Sequence, residues 1–310
     1  EGKRCTGVEY RRGDRSETIH ANREVIVAGG AVGAPHLLQV SGIGPGSLLQ
    51  SHGIQTRHDL PGVGENLQDH FGIGAEYRST VKTTVNDLYN NKLKGGLQLL
   101  RWLIFRTGPF ADNGNYSNTF IRSSSDIDRP DMMVTFMAWC TDEQLKPHPF
   151  PGFTILAEHM RPNSRGHVGL TCPNPNAPPE IRFNFFADEA DQKAALAGLK
   201  FGRRIAATAP MSDCVDYELS PGKDVVTDEA LLAYCRQNGL SLLHPVGTCK
   251  MGVDDMAVVD PRLKVHGLIG LRVADASVMP RIVTGNTNAA SIMIGEKAAA
   301  MILEDLKDAA

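Results

Sequence analysis

The run Glu24-Val25-Ile26-Val27-Ala28-Gly29-Gly30 sets three β-branched residues in a row and closes them on two glycines. Such a stretch reads as a buried strand that turns sharply at its end. Beyond the turn, Gly33 to Val40 carries Leu37, Leu38 and Val40 at helix-compatible spacing, so the unit is strand, turn, helix. The same texture returns near the other end. Leu271-Arg272-Val273-Ala274-Asp275 reads as a second buried strand, and Asn288 to Lys307 as a helix with Ile292, Met293, Ala299, Met301, Ile302 and Leu306 on its apolar face. The two ends of the chain are therefore expected to pack together.

Between them the composition changes. Met132-Met133-Val134-Thr135-Phe136, Phe153-Thr154-Ile155-Leu156-Ala157 and His167-Val168-Gly169-Leu170 are short runs separated by Pro/Asn/Asp-rich turns, the pattern of an antiparallel sheet. Helices are predicted over 91–105, 189–207 and 228–237. The last has Thr227 as N-cap and Gly239 as the left-handed residue beyond its end. The expected architecture is α/β (α+β), with residues 1–70 and 240–310 forming one discontinuous domain and residues 71–239 inserted as a second.

Composition removes several classes of function. Lys and Arg number 32 against 35 Asp and Glu, with no block of five like charges, so the basic stripe needed for nucleic acid is absent. The most apolar helical stretch, Leu97 to Phe105, is interrupted by Arg101 and falls well short of the ~20 residues a bilayer requires, so no transmembrane segment is expected. Cys5, Cys140, Cys172, Cys214, Cys235 and Cys249 lie far apart without metal-ligand spacing. Reduced thiols in a cytoplasmic setting, and no bound metal, are the expectation. The chain opens on Glu1 and runs directly into a strand near Thr6 to Tyr10, from which a longer native N-terminus is expected.

Two polar clusters carry possible chemistry, His244-Pro245-Val246-Gly247-Thr248-Cys249 and Thr284-Gly285-Asn286-Thr287-Asn288. A histidine followed by proline is stiffly presented, and its near-neutral titration suits it to exchange a proton; a hydrogen-bonded core histidine has the same local sequence. The second cluster sits where the final helix begins, so unpaired N–H groups and the positive dipole end face whatever lies in front. Three polar residues there exceed what one N-cap needs.

Gly30 to Pro45 closely resembles the second signature of the glucose-methanol-choline (GMC) oxidoreductases, flavoenzymes that oxidise alcohols. Gly62 to His70, Ser164-Arg165-Gly166, His244 to Gly252, Leu271 to Pro280 and Gly285 to Asn288 are similar to further family segments, and Gly285 to Lys297 to its choline-dehydrogenase-like branch. The resemblance implies FAD as cofactor and oxidation of a primary alcohol to an aldehyde. His244 and Asn288, 44 residues apart, would be the catalytic pair, with His244 as proton acceptor. Asp275, Ala276, Asn286 and Thr287 would border the cofactor. Asp275 alone reads equally as the cap of the next turn. Tyr116 falls where choline-using relatives carry a carboxylate, and Asn113 and Trp139 are further pocket candidates. Residues 1–70 and 240–310 would belong to a Rossmann-like FAD-binding domain, and 71–239 to the substrate domain. The G-x-G-x-x-G segment with which the family begins is missing, so an N-terminal FAD-binding portion is an expected partner. Oxygen or a quinone would accept the electrons. The alternatives are a flavin-containing relative that cleaves hydroxynitriles, and a non-catalytic subunit.

Overall fold

The computed structural model describes every residue except 113, 143, 309 and 310. It forms two compact units, one of Glu1–Asp69, Ser164–Ala187 and Leu243–Ala310, the other of His70–Asn163 and Asp188–Leu242. Against the expected 1–70 and 240–310 with 71–239 inserted, residues 164–187 fall in the first unit and residues 70 and 240–242 in the second.

In the first unit, β1 (Gly7–Arg12) and β2 (Arg15–His20) make an antiparallel hairpin, followed by β3 (Val25–Val27), α1 (Gly30–Val40), β4 (Ile43–Gly44), α2 (Gly46–Ser51) and β5 (His58–Asp59). The second unit then begins with β6 (Phe71–Ser79), α3 (Val85–Asn90), α4 (Lys92–Phe105), β7 (Asn115–Ile121), β8 (Met132–Met137) and β9 (Gly152–His159). The chain returns to the first unit for β10 (His167–Gly169) and β11 (Glu180–Arg182). It crosses again for α5 (Glu189–Ala206), β12 (Val215–Ser220), α6 (Asp228–Asn238) and β13 (Leu240–Ser241), and ends in the first unit with β14 (Leu271–Val273) and α7 (Asn288–Asp308).

The second unit is an antiparallel sheet in the order β12-β6-β9-β8-β7, with β13 also paired to β6. The His167–Leu170 run, expected in this sheet, instead pairs with β11 in the first unit. Against the sheet lies α5, whose Ala194, Ala195, Gly198, Leu199 and Gly202 are buried at helical spacing. Small residues set the approach: a Cβ on Gly198 would stand 2.5 Å from Met132 Cε and 2.7 Å from Ala157 Cβ. Asp188 caps this helix by accepting from Ala190 N, and Thr227 caps α6 by accepting from Ala230 N. Gly239 is not left-handed as expected; its φ is −73°. Its lack of a side chain matters for another reason, since a Cβ there would lie 1.8 Å from the Phe71 ring.

The first unit is built around parallel pairing of β3 with β14, the two buried runs read from the sequence. Its core includes Val27, Leu38, Val63, Val246, Val259, Leu271, Val273 and Ile294. Within α1, Pro35 lacks the N–H that would bond Ala31 O, and the Thr248 hydroxyl takes that carbonyl instead at 2.6 Å. Among the described residues, no helix is long and apolar enough to cross a membrane.

Arg272, 2% exposed on β14, would be a costly buried cation if left alone. It donates to Glu24 at 2.7 Å, to Arg262 O at 2.7 Å, and to Asp305 near the end of α7. Lys264 first, then Arg272 and Arg262, hold the Asp305 carboxyl far below the usual aspartate range. In the unfolded chain this group titrates near 3.8. Its stabilisation is therefore complete above that value and drains away as pH falls toward the folded-state titration. Asp305→Asn should lower stability at neutral pH and flatten the loss on acidification, read from urea unfolding across acid pH; an unchanged acid slope would remove Asp305 from the pH dependence.

Candidate active site

The loop after Gly64 forms the base of the site. Asn66, at φ +64°, donates from Nδ2 to Gly247 O at 3.1 Å and Pro280 O at 3.3 Å. Asparagine tolerates this left-handed backbone better than most residues. Two residues on, Gln68 is 2% exposed; its Nε2 donates to Asn66 O, Asn66 Oδ1 and Pro280 O, each at 3.2 Å, and its Oε1 accepts from Ile282 N at 3.1 Å. Backbone bonds from Gln68 N to Val246 O, at 3.0 Å, and from Val246 N to Gln68 O, at 2.9 Å, lace the loop to the histidine segment. Arg165 adds a bond from Nε to Asn66 Oδ1 at 3.1 Å, and Asn184 Nδ2 holds Arg165 O at 3.0 Å.

Asp69, 2% exposed, ends the loop, and its Oδ1 accepts the backbone N–H of His244 at 2.8 Å. Immediately before the histidine, Leu243 is 83% exposed at φ +60°, a left-handed conformation uncommon for a branched side chain. Strain of that kind concentrates where a neighbouring group must be aimed. The aim is visible one residue on: His244 Nε2 stands 3.1 Å from Asn286 Nδ2. In that arrangement the amide donates and Nε2 accepts, so Nε2 carries the lone pair a proton acceptor needs.

Asn286 lies in the turn before α7, and Asn288 is the first residue of the helix, exposed to solvent. Asn286, 42 residues from His244, is bonded to its ring, and Asn288, the expected catalytic partner at 44, stands two residues further on at the start of α7. Thr287 is 8% exposed, and its carbonyl accepts from both the N–H and the hydroxyl of Ser291 at 2.9 Å. Asp275 caps the short 3₁₀ turn at Ala276 by accepting Ser277 N on Oδ1 at 2.8 Å, and its Oδ2 accepts Gly30 N at 2.9 Å. Both readings of Asp275 begin from this placement, since the turn it caps sits beside the β3–α1 junction. Ala276 is part-buried and accepts from Gly247 N at 3.4 Å.

The pocket candidates fall in the second unit. Tyr116 stands on β7, 47% exposed. Trp139 is half-buried with its indole over Gly114, and its carbonyl accepts from the Thr154 hydroxyl at 2.8 Å. Asn113 lies outside the described residues.

The residues at the first unit's turns fit a flavin dinucleotide. Gly30, at φ +72°, and Gly285, at φ +106°, each have no atom within 4 Å of the place a Cβ would occupy, so the backbone at both turns is open to a close neighbour. The first N–H groups of α7 lack intrahelical acceptors and present the positive end of a long helix behind Asn286.

The Gln68, Asp69 and Arg165 network was readable in the sequence only as family-like segments without assigned roles, because their partners lie far away along the chain. Asp69→Ala removes the acceptor of a part-buried N–H and should cost about 1–3 kcal/mol in urea unfolding. It should also displace the His244 imidazole signals in NMR spectra; unmoved signals would show that Asp69 does not hold that segment.

Two family models, both described as GMC oxidoreductase, match residues 1–72 and 162–295. The chain is 41% identical over 311 aligned positions to an oxygen-dependent choline dehydrogenase of Brucella melitensis, covering 98% of this chain and 56% of that protein. It is 42% identical to one of Pseudomonas fluorescens, over 96% of this chain and 53% of that protein. The chain therefore spans little more than half the length of these relatives. Among solved structures, a variant of the formate oxidase of Aspergillus oryzae superposes with a TM-score of 0.90 at 28% identity, over 99% of this chain and 58% of that one. An FAD-dependent oxidoreductase of Chaetomium thermophilum gives 0.87 at 26%, over 99% and 60%. The mixed α/β fold is that of these flavoenzymes, and the chain belongs to the GMC oxidoreductase family.

Proposed function

We propose that this chain is the larger part of an FAD-dependent enzyme that oxidises a primary alcohol to its aldehyde, with His244 as the proton acceptor. The observation that carries the reading is the contact between His244 Nε2 and Asn286 at the start of α7. FAD, when bound, supplies the two-electron acceptor that takes hydride from the carbinol carbon. The alcohol hydroxyl displaces the Asn286 N–H from Nε2, His244 takes the hydroxyl proton there, and the freed Asn286 amide holds the alcohol oxygen beside it. Loss of one proton and one hydride balances the conversion of R–CH2–OH to R–CHO. A positioned base of this kind contributes typically ~10²–10⁴ in rate. The α7 dipole and the backbone at Asp275 to Ala276, Asn286 and Thr287 favour the negative charge that the cofactor carries.

In this reading the first unit belongs to the FAD-binding domain and the second binds substrate. A further N-terminal segment would supply the dinucleotide-binding βαβ unit and pair with the short β3–β14 sheet. Ile26, on a parallel strand of the kind normally covered on both faces, is 47% exposed, in keeping with such a partner. The relatives named for choline suggest an alcohol of that size. Tyr116 offers cation–π attraction in place of a carboxylate, which leaves a neutral primary alcohol equally acceptable. Oxygen or a quinone would take the electrons. A reducing, cytoplasmic setting agrees with six free cysteines, of which burial pushes Cys140 up to about 12 and Cys235 up to about 11.

Anaerobic addition of a primary alcohol to the flavin-loaded protein should bleach the oxidised flavin band; a hydroxynitrile-cleaving relative would leave it yellow, and a non-catalytic subunit would carry no flavin. In the same enzyme, His244→Ala should lower kcat at least ~10². Asn286→Ala should lower it more than Asn288→Ala does, and Tyr116→Ala should move the preference between choline and neutral alcohols more than kcat. Near-normal turnover of the His244 variant with full flavin content would remove it from the mechanism.

A further inference from the structure

Helix α4 is turned the wrong way for a soluble protein. Leu93, Leu97, Leu100 and Ile104 recur at the three- and four-residue spacing that marks the buried stripe of an amphipathic helix, yet they are 76%, 58%, 52% and 61% exposed. None of the fourteen residues of α4 is buried. The less exposed positions are Gly95, Gln98 and Trp102, which lie on the opposite side of the helix wheel, so the protein is met by the less apolar side and the leucine ridge points outward. The ridge continues into Phe105, 68% exposed, and Phe110, 45% exposed, follows the end of the helix. An uncovered apolar face of this extent marks an interaction surface.

The charges beside the ridge select what covers it. Lys92, Lys94, Arg101 and Arg106 lie in or directly after the helix, and residues 92–111 contain no Asp or Glu. A second copy seated on the same ridge would bring cations against cations with no acid on either side. An anionic lipid surface satisfies both halves of the pattern, taking the leucines and Phe105 into the acyl boundary while its headgroups neutralise the cations. Lys and Arg stems of this kind reach up to the headgroups from an apolar bed.

We propose that α4 is an interfacial helix that docks the protein on anionic membranes, lying in the surface plane without crossing the bilayer. The test is co-sedimentation of the full-length, flavin-loaded protein with vesicles of phosphatidylcholine alone and of phosphatidylcholine with phosphatidylglycerol. Binding should favour the anionic vesicles and fall with added salt. Leu97→Glu/Leu100→Glu should reduce it at least tenfold. Each of Lys94→Gln and Arg101→Gln should reduce it about fivefold. All four side chains are exposed, so flavin content and circular dichroism should be unchanged. Absence of binding to anionic vesicles, or equal binding by the leucine variant, would overturn the proposal. So would a wild-type dimer that the leucine variant converts to monomer, which would assign the ridge to a second copy. A ridge shielded from limited proteolysis in the full-length protein without lipid would assign it to another segment of the polypeptide and would equally overturn it.

Discussion

The candidate site depends on one buried amide. Gln68 spends its donors on Asn66 and Pro280 and its acceptor on Ile282, while its backbone forms a two-bond bridge with Val246. Three stretches remote in sequence are thereby held by groups that cannot be released without leaving buried polar atoms unpaired. Because Asp69 follows directly and grips the His244 N–H, the histidine's place is fixed through its main chain, and the Asn286 amide then meets its ring. Burial supplies the rigidity here: each bond is ordinary in length, but the network is closed to water at its centre.

The main elements of the fold were legible in the sequence because they rest on local rules. Periodicity located α5, α6 and α7, side-chain capping marked Thr227, and β-branched runs marked β3 and β14. What could not be read depends on tertiary facts. Gly239 carries the signature of a left-handed cap, but the Phe71 ring occupies the space beside it, and clearance decided its identity. The His167–Leu170 run has the composition of a sheet strand, yet Gln39 at 3.0 Å from Val168 O and the bond from Val168 N to Gly64 O draw it into the first unit. The same limit applies to the histidine's partner. Spacing of 42 or 44 residues is indistinguishable by composition, and only the three-dimensional structure brings the Asn286 amide to the His244 ring.

The two long helices of the second unit show why pattern alone does not give orientation. On α5 the inward face is mainly alanine and glycine with Leu199 among them, so that the backbone approaches the sheet closely. On α4 the apolar stripe is built of bulky leucines and points outward, and glycine, glutamine and tryptophan meet the protein instead. The spacing of apolar residues along a helix records that a stripe exists and says nothing of which side the remaining structure takes. Two helices of one unit therefore obey the same period with opposite outcomes.

The placement of Asn286 is settled at the far end of α7. An α-helix advances 1.5 Å per residue, so fixing residue 305 fixes residue 288, roughly 25 Å away, along the helix axis. Asp305 is held by Lys264 at 2.8 Å, by Arg262 at 2.8 Å and by the buried Arg272. Arg272 stands on β14, the strand that runs directly into Asp275, and Asp275 in turn holds the first N–H of α1. One cluster of charges thus ties both ends of the same framework, the strand that leads to the turn at Ala276 and the helix that begins behind Asn286. Replacing a buried ion pair by apolar residues often leaves stability unchanged. Leucine at 272 and 305 would preserve burial, but it would surrender the bidirectional registration of strand against helix. The requirement for that registration is the physical reason to keep a charge inside the core.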